Sequence, residues 1–83
     1  MRDFTDAIRR LRERLDEART YLKVDAGRSR LAELELEVAR PDLWDAQDLA
    51  KRINTEYANV KGDIDEFDGL ASVIDDIEVL HEL

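Results

Sequence analysis

Glu78 and His81 are the pair of side chains in this sequence whose types and spacing come nearest to metal chemistry. Glu-x-x-His puts both residues on one helix face and supplies half of the ligand pattern of a di-metal carboxylate bundle. Such a site needs a second copy of the motif and two more glutamates. His81 is the only histidine, so the second copy is missing, and it lies near a chain end, where helices fray. Asp75, Asp76, Glu78 and Glu82 gather carboxylates around it. Paired carboxylates perform acid–base work inside a cleft that pushes one pKa away from the other. A helix end offers no cleft, so a solvated acidic face is the expectation. Ser29 and Ser72 have no histidine near them in sequence, and a nucleophilic triad therefore has no base. No glycine-rich loop follows a strand. The sequence predicts no enzyme, no cofactor and no metal.

The arginine-rich stretch carries more weight. Residues 9–30 hold eight basic groups (Arg9, Arg10, Arg12, Arg14, Arg19, Lys23, Arg28, Arg30) against four acidic ones. The bland reading is a salt-bridged helix surface, with Asp6 and Arg10 in the favourable i,i+4 order and Arg12 and Asp16 in the weaker one. The functional reading is a contact with RNA or an acidic protein, for which Arg9, Arg12, Arg19 and Arg28 are the candidates. Charge is divided along the chain. Residues 1–44 are neutral, whereas residues 45–83 carry 3 basic and 11 acidic groups and hence the entire net charge of −8. That excess argues against autonomous binding to DNA or RNA, which needs a net basic face. A local basic patch on a larger ribonucleoprotein-binding factor fits better.

The elements that must position these groups are helical. The 83 residues include 3 glycines, 1 proline and no cysteine, so a disulfide framework and a cysteine zinc site are excluded. No apolar run reaches the roughly 18 residues a membrane span needs, and the N-terminus has no apolar secretory segment. Phe4, Ile8, Leu11, Leu15, Ala18 and Leu22 recur at steps of 4 and 3, the seam of one helix over residues 4–22. Asp3 is its expected cap. Val24-Asp25 breaks the pattern, with Asp25 capping a second helix that carries Leu31, Leu34 and Val38 and ends before Pro41. Pro41, Asp42, Leu43, Trp44 and Asp45 form a turn. Asp45 is the expected cap of the third helix, and Trp44 stands at staple spacing from Leu49. A long third helix over residues 46–81 then carries Leu49, Ile53, Tyr57, Val60, Ile64 and Phe67. Beyond Phe67 the cleanest apolar continuation is Leu70, Val73, Ile77 and Leu80, which demands a phase shift or kink near Gly69.

The expected fold is all-α: three helices in an antiparallel coiled-coil-like bundle, with one long C-terminal helix kinked near Gly69. The lengths suggest that the first two helices lie in succession along the third. An ordinary three-helix bundle with an overhanging third helix is the alternative.

The segments Tyr21-Leu22-Lys23-Val24-Asp25-Ala26, Arg30-Leu31-Ala32-Glu33-Leu34-Glu35 and Pro41-Asp42-Leu43-Trp44-Asp45 stand in an order and at spacings with a counterpart. Together they resemble the N-terminal helical domain of the bacterial peptide chain release factor 2 family. The likeness covers most of the chain and is best over residues 19–45. It implies a cytoplasmic translation-termination factor that reads UGA and UAA in the ribosomal A site. Codon reading in that family depends on a Ser-Pro-Phe tripeptide, and peptidyl-tRNA hydrolysis on a Gly-Gly-Gln loop. Neither motif occurs in these 83 residues. The resemblance therefore implies that residues 1–83 are a non-catalytic fragment that positions the factor near the stalk base of the large subunit. There it would meet ribosomal RNA and protein, and the isolated domain could self-associate. Two other classes remain: a coiled-coil adaptor, and a small secreted Trp-x-Gly helical hairpin, although Trp44-Asp45-Ala46 lacks the glycine of the latter.

Overall fold

The computed structural model describes residues 4–83. They form α1 (Thr5–Tyr21), α2 (Val24–Val38), a short 3-10 helix (Pro41–Asp45) and α3 (Gln47–Glu82). The all-α fold with one long last helix is thus the observed one. The expected spans of the first and third helices differ from α1 and α3 by one residue at each end. The expected Asp3 cap lies outside the described residues.

α1 and α2 are separated by a corner of two residues, Leu22 and Lys23. The Leu22 and Lys23 backbone N–H groups donate to the Ala18 and Thr20 carbonyls and close α1. Lys23 then takes the left-handed conformation, with φ 53° and ψ 48°, and its carbonyl accepts from the Gly27 N–H to open α2. The break therefore falls at Lys23 and not at Val24-Asp25. Asp25 lies in the first turn of α2 and caps nothing through its side chain. The left-handed corner aims Val24 inward, where it is only 1% exposed.

At the other end the chain reverses. Arg40 is extended (φ −74°, ψ 128°), as the ring of a following proline requires. Pro41 then starts the 3-10 helix. Three residues per turn send Leu43 into the core and leave Trp44 outside, 62% exposed. The expected staple of Trp44 on Leu49 is not made, and both residues are exposed. Ala46, not Asp45, occupies the cap position of α3, without a side-chain cap.

The result is a helical hairpin whose first arm is bent once. α2 lies along the first half of α3 and α1 along the second half, with little contact between α1 and α2. The molecule measures 65 × 22 × 15 Å, and the 36 residues of α3 account for about 54 Å of that length. The arrangement in succession is the one formed. Two apolar clusters hold it together. Leu15 and Val24 meet Phe67 and Ile74, flanked by Leu11, Ala18, Leu22 and Ala71. Leu34 and Leu43 meet Ala50 and Ile53, flanked by Val38, Tyr57 and Val60. Ile64, a member of neither cluster, is buried between them in the sequence of α3, beside Gly27, where a β-carbon would sit 3.5 Å from Ile64 Cδ1.

α3 runs unbroken through Gly69, and its seam does not change phase. After Phe67 the inward positions are Ala71, Ile74 and Glu78. Leu70, Val73, Ile77 and Leu80, the expected continuation, face solvent. A seam shifts phase through a kink or through local over- or underwinding of the helix, and glycine in an α-helix forces neither. The small side chain of Ala71 and the charged one of Glu78 hid the true seam, while the larger apolar residues next to it advertised a false one.

Candidate interaction surface

Three arginines from the bent arm reach α3. The Arg12 guanidinium forks onto Glu78, with Nε donating to Oε1 at 2.5 Å and Nη2 to Oε2 at 2.8 Å, and Nη2 also donates to Asp75. Arg28 Nη2 donates to Asp68 at 2.6 Å. Arg30 forks onto Glu56 at 2.5 and 2.9 Å and adds Glu33 on its own helix. Planar two-point pairing of this kind fixes geometry as well as charge. The hydrogen bonds hold the carboxyls of Glu78, Glu56 and Asp68 below their usual range and raise the three guanidinium pKa values further. The partners are solvent-accessible, so screening limits what each pair adds to stability. Spread over the near, middle and far parts of α3, they set the register of the arm.

The other arginines stay on their own side. Arg19 Nη2 donates to Asp25 at 2.7 Å across the α1–α2 corner. Arg9 lies 3.4 Å from Asp6, and Arg10 Nε donates to the Asp6 carbonyl at 3.5 Å. The four sequence-nominated arginines therefore do not make one patch: Arg12 and Arg28 turn toward α3, while Arg9 and Arg19 pair locally. The expected partners Asp6–Arg10 and Arg12–Asp16 give way to Asp6–Arg9 and Arg12–Glu78. Among the described residues, Arg14 and Lys23 meet no carboxylate. At 3.6 residues per turn Arg10, Arg14 and the exposed Tyr21 share one outward face of α1. Reasoning from sequence missed this split because nothing local says which arginine has a carboxylate waiting on a helix 26 to 66 residues away.

The Glu78–His81 pair does not converge on a ligand. Glu78 faces Arg12, whereas His81 Nε2 lies 3.4 Å from the Thr5 hydroxyl and its ring stands edge-on to Phe4, 6.5 Å between centroids. Among the described residues no three acidic or histidine side chains are placed to hold a metal ion. Among the described residues no helix is long and apolar enough to cross a membrane.

Comparison with known proteins bears on what such a rod is part of. Peptide chain release factor 2 of Saccharopolyspora erythraea is 33% identical over 81 residues, 98% of this chain and 22% of the relative. The protein of the same name from Beutenbergia cavernae is 37% identical over an equal span. That from an Exiguobacterium species is 33% identical over 81 residues. The chain is a relative of peptide chain release factor 2. It spans about one-fifth of the length of those relatives. No family model matches it, and no solved structure does. The likeness to release factor 2 has a structural correlate. Tyr21–Ala26 contains the left-handed corner, and Pro41, Asp42, Leu43, Trp44 and Asp45 are the reversal. The residues that carry the resemblance are largely those that bend the rod.

Proposed function

We propose that residues 1–83 are the N-terminal helical domain of a class I release factor that terminates translation at UGA and UAA codons in the cytoplasm. The domain positions the factor on the ribosome and leaves codon reading and hydrolysis to parts of the protein beyond it. The similarity to release factor 2 along almost the whole chain carries this reading. The shape supports it: a rod 65 Å long, stiffened by arginine–carboxylate rungs, suits a part that holds a distance. Its partner is the large subunit near the stalk base. The outward face of Arg10, Arg14 and Tyr21 is the side turned to ribosomal RNA, while Arg9 and Arg19, paired with Asp6 and Asp25, lie off it. Arg12 and Arg28 act indirectly, by keeping the arm aligned with α3.

Cosedimentation with ribosomes tests the proposal. Replacing Arg10 and Arg14 with glutamate weakens binding and flattens its salt dependence, by about 0.7–0.9 in log–log slope for each phosphate left without its cation. Unchanged affinity and slope would remove this face from the interface, and no cosedimentation of the wild type would remove independent ribosome binding.

A further inference from the structure

The second half of α3 carries an apolar stripe that the described residues leave open. Leu70, Val73, Ile77 and Leu80 are 47%, 56%, 37% and 70% exposed. At 3.6 residues per turn they fall in a sector about 80° wide, centred about 110° round α3 from the seam that α1 covers. Steps of 3, 4 and 3 make the pattern of a helix that packs on another helix. α1 walls one side of the stripe. His81 comes one turn after Ile77, between stripe and seam, and the half-exposed ring of Phe4 stands edge-on to it. On the other side a β-carbon at Gly69 would meet nothing within 4 Å.

The place of the stripe says what covers it. It occupies about the last four turns of α3 and runs out at Leu83, which is 96% exposed. Earlier turns of α3 expose a single large apolar side chain, Leu49. The chain spans about one-fifth of the length of its release factor relatives, so a protein of their size has residues to spare for the purpose. A segment joined at Leu83 needs a connection of only about 2–8 residues to turn back along the stripe. The tether then holds it there at a high effective concentration, and consecutive elements are commonly neighbours in space. The chain makes such a reversal once already, at Pro41–Asp45. A second copy fits worse. From residue 62 onward there is no lysine or arginine, so two such halves face to face set carboxylate against carboxylate.

We propose that the residues following Leu83 turn back and lay an amphipathic helix antiparallel on this stripe, against Leu70, Val73, Ile77, Leu80 and the edge of Phe4. α3 then carries a helix on each of two neighbouring faces, α1 on the seam and the following segment on the stripe. Reaching back to Gly69 takes about 14 helical residues. Such a helix rests on the release-factor reading, which places residues beyond Leu83.

The test is thiol labelling of the full natural protein. Val73 and Val79 are both 56% exposed, but Val79 lies about 110° from the seam on its opposite side, off the stripe. Val73→Cys is expected to react with a maleimide at least about tenfold more slowly than Val79→Cys, because reaction there waits for the segment to lift. Mass spectrometry of the labelled peptides reads both rates. A benzophenone maleimide placed at Val73→Cys is expected to cross-link within about 25 residues after Leu83. Val73→Asp makes that segment sensitive to protease, and Val79→Asp does not. Equal labelling at the two positions, or cross-links into a distant part of the chain, would overturn the proposal and leave the release-factor reading standing. So would protection of Val73→Cys that vanishes on dilution or arises only with another protein bound, which would give the stripe to a second copy or a partner. A natural chain that ends at Leu83 would overturn both.

Discussion

Ile74 and Ile77 are the same residue three positions apart on one helix, and the fold gives them opposite duties. Ile74 is 8% exposed and packs with Leu15, Val24 and Phe67, whereas Ile77 is 37% exposed and faces out. Ile→Ala at either site removes three carbons, worth about 2.4 kcal/mol if fully buried. At Ile74 nearly all of that is lost and a cavity term is added, for roughly 3 kcal/mol. At Ile77 roughly 1.5 kcal/mol of burial is lost, no cavity opens, and alanine returns some helix propensity, for a net of about 1 kcal/mol. Because the substitution is the same, effects on the unfolded chain largely cancel. A difference of about 2 kcal/mol is large beside the roughly 4–12 kcal/mol expected for a domain of this size. It corresponds to about 8–16 °C in melting temperature. Urea unfolding of both variants, followed by circular dichroism at 222 nm, measures it. Equal losses, or a larger loss at Ile77, would show that the seam shifts phase at Gly69 after all and would refute the register described here.

Further expectations concern the turn, the corner and the rungs. Leu43→Ala costs about 2–4 kcal/mol, while Trp44→Ala costs under about 1, because the 3-10 turn buries the first and exposes the second; thermal melts distinguish them, and a costlier Trp44→Ala would restore the staple. Lys23→Gly raises stability by up to about 1 kcal/mol by relieving the left-handed backbone; a fall in melting temperature would contradict the corner. Gly27→Ala also raises stability, by up to about 1 kcal/mol, since its new carbon meets Ile64 at ordinary van der Waals distance; a lower melting temperature would show that the α2–α3 approach is tighter. Glu78 has a folded pKa below its unfolded one because of Arg12, so its contribution is present above the unfolded value near 4.3 and fades as pH falls through the lower folded value. The wild type's advantage over Arg12→Gln should accordingly shrink between about pH 5 and pH 3; an advantage that grows on acidification would mean the pair is not formed.

The helices are legible because their seams repeat over many turns. The steps of Leu11, Leu15, Ala18 and Leu22, and of Ile53, Tyr57, Val60, Ile64 and Phe67, leave little choice of face. The bends are visible in the sequence, but their details are not. Lys23 gives no sign of a left-handed corner, which glycine or asparagine would have signalled, and the 3-10 geometry that swaps the roles of Leu43 and Trp44 leaves no periodic mark in five residues. The seam beyond Phe67 misleads because hydrophobicity there does not mean burial. Ala71 and Glu78 lie on the inward face, and the larger apolar residues lie beside it, exposed. The arginines show the same limit. Their clustering is visible, but whether each serves a partner or α3 depends on Glu56, Asp68, Asp75 and Glu78, which only folding brings near.

The most direct check of the central claim is the intact mass of the natural protein in the cells that encode it, read together with the reading frame beyond Leu83. A polypeptide several-fold larger, continuing into Ser-Pro-Phe and Gly-Gly-Gln segments, is the expected result. A natural product of 9.6 kDa ending at Leu83 would contradict the release-factor reading and leave a stand-alone helical binding protein in its place.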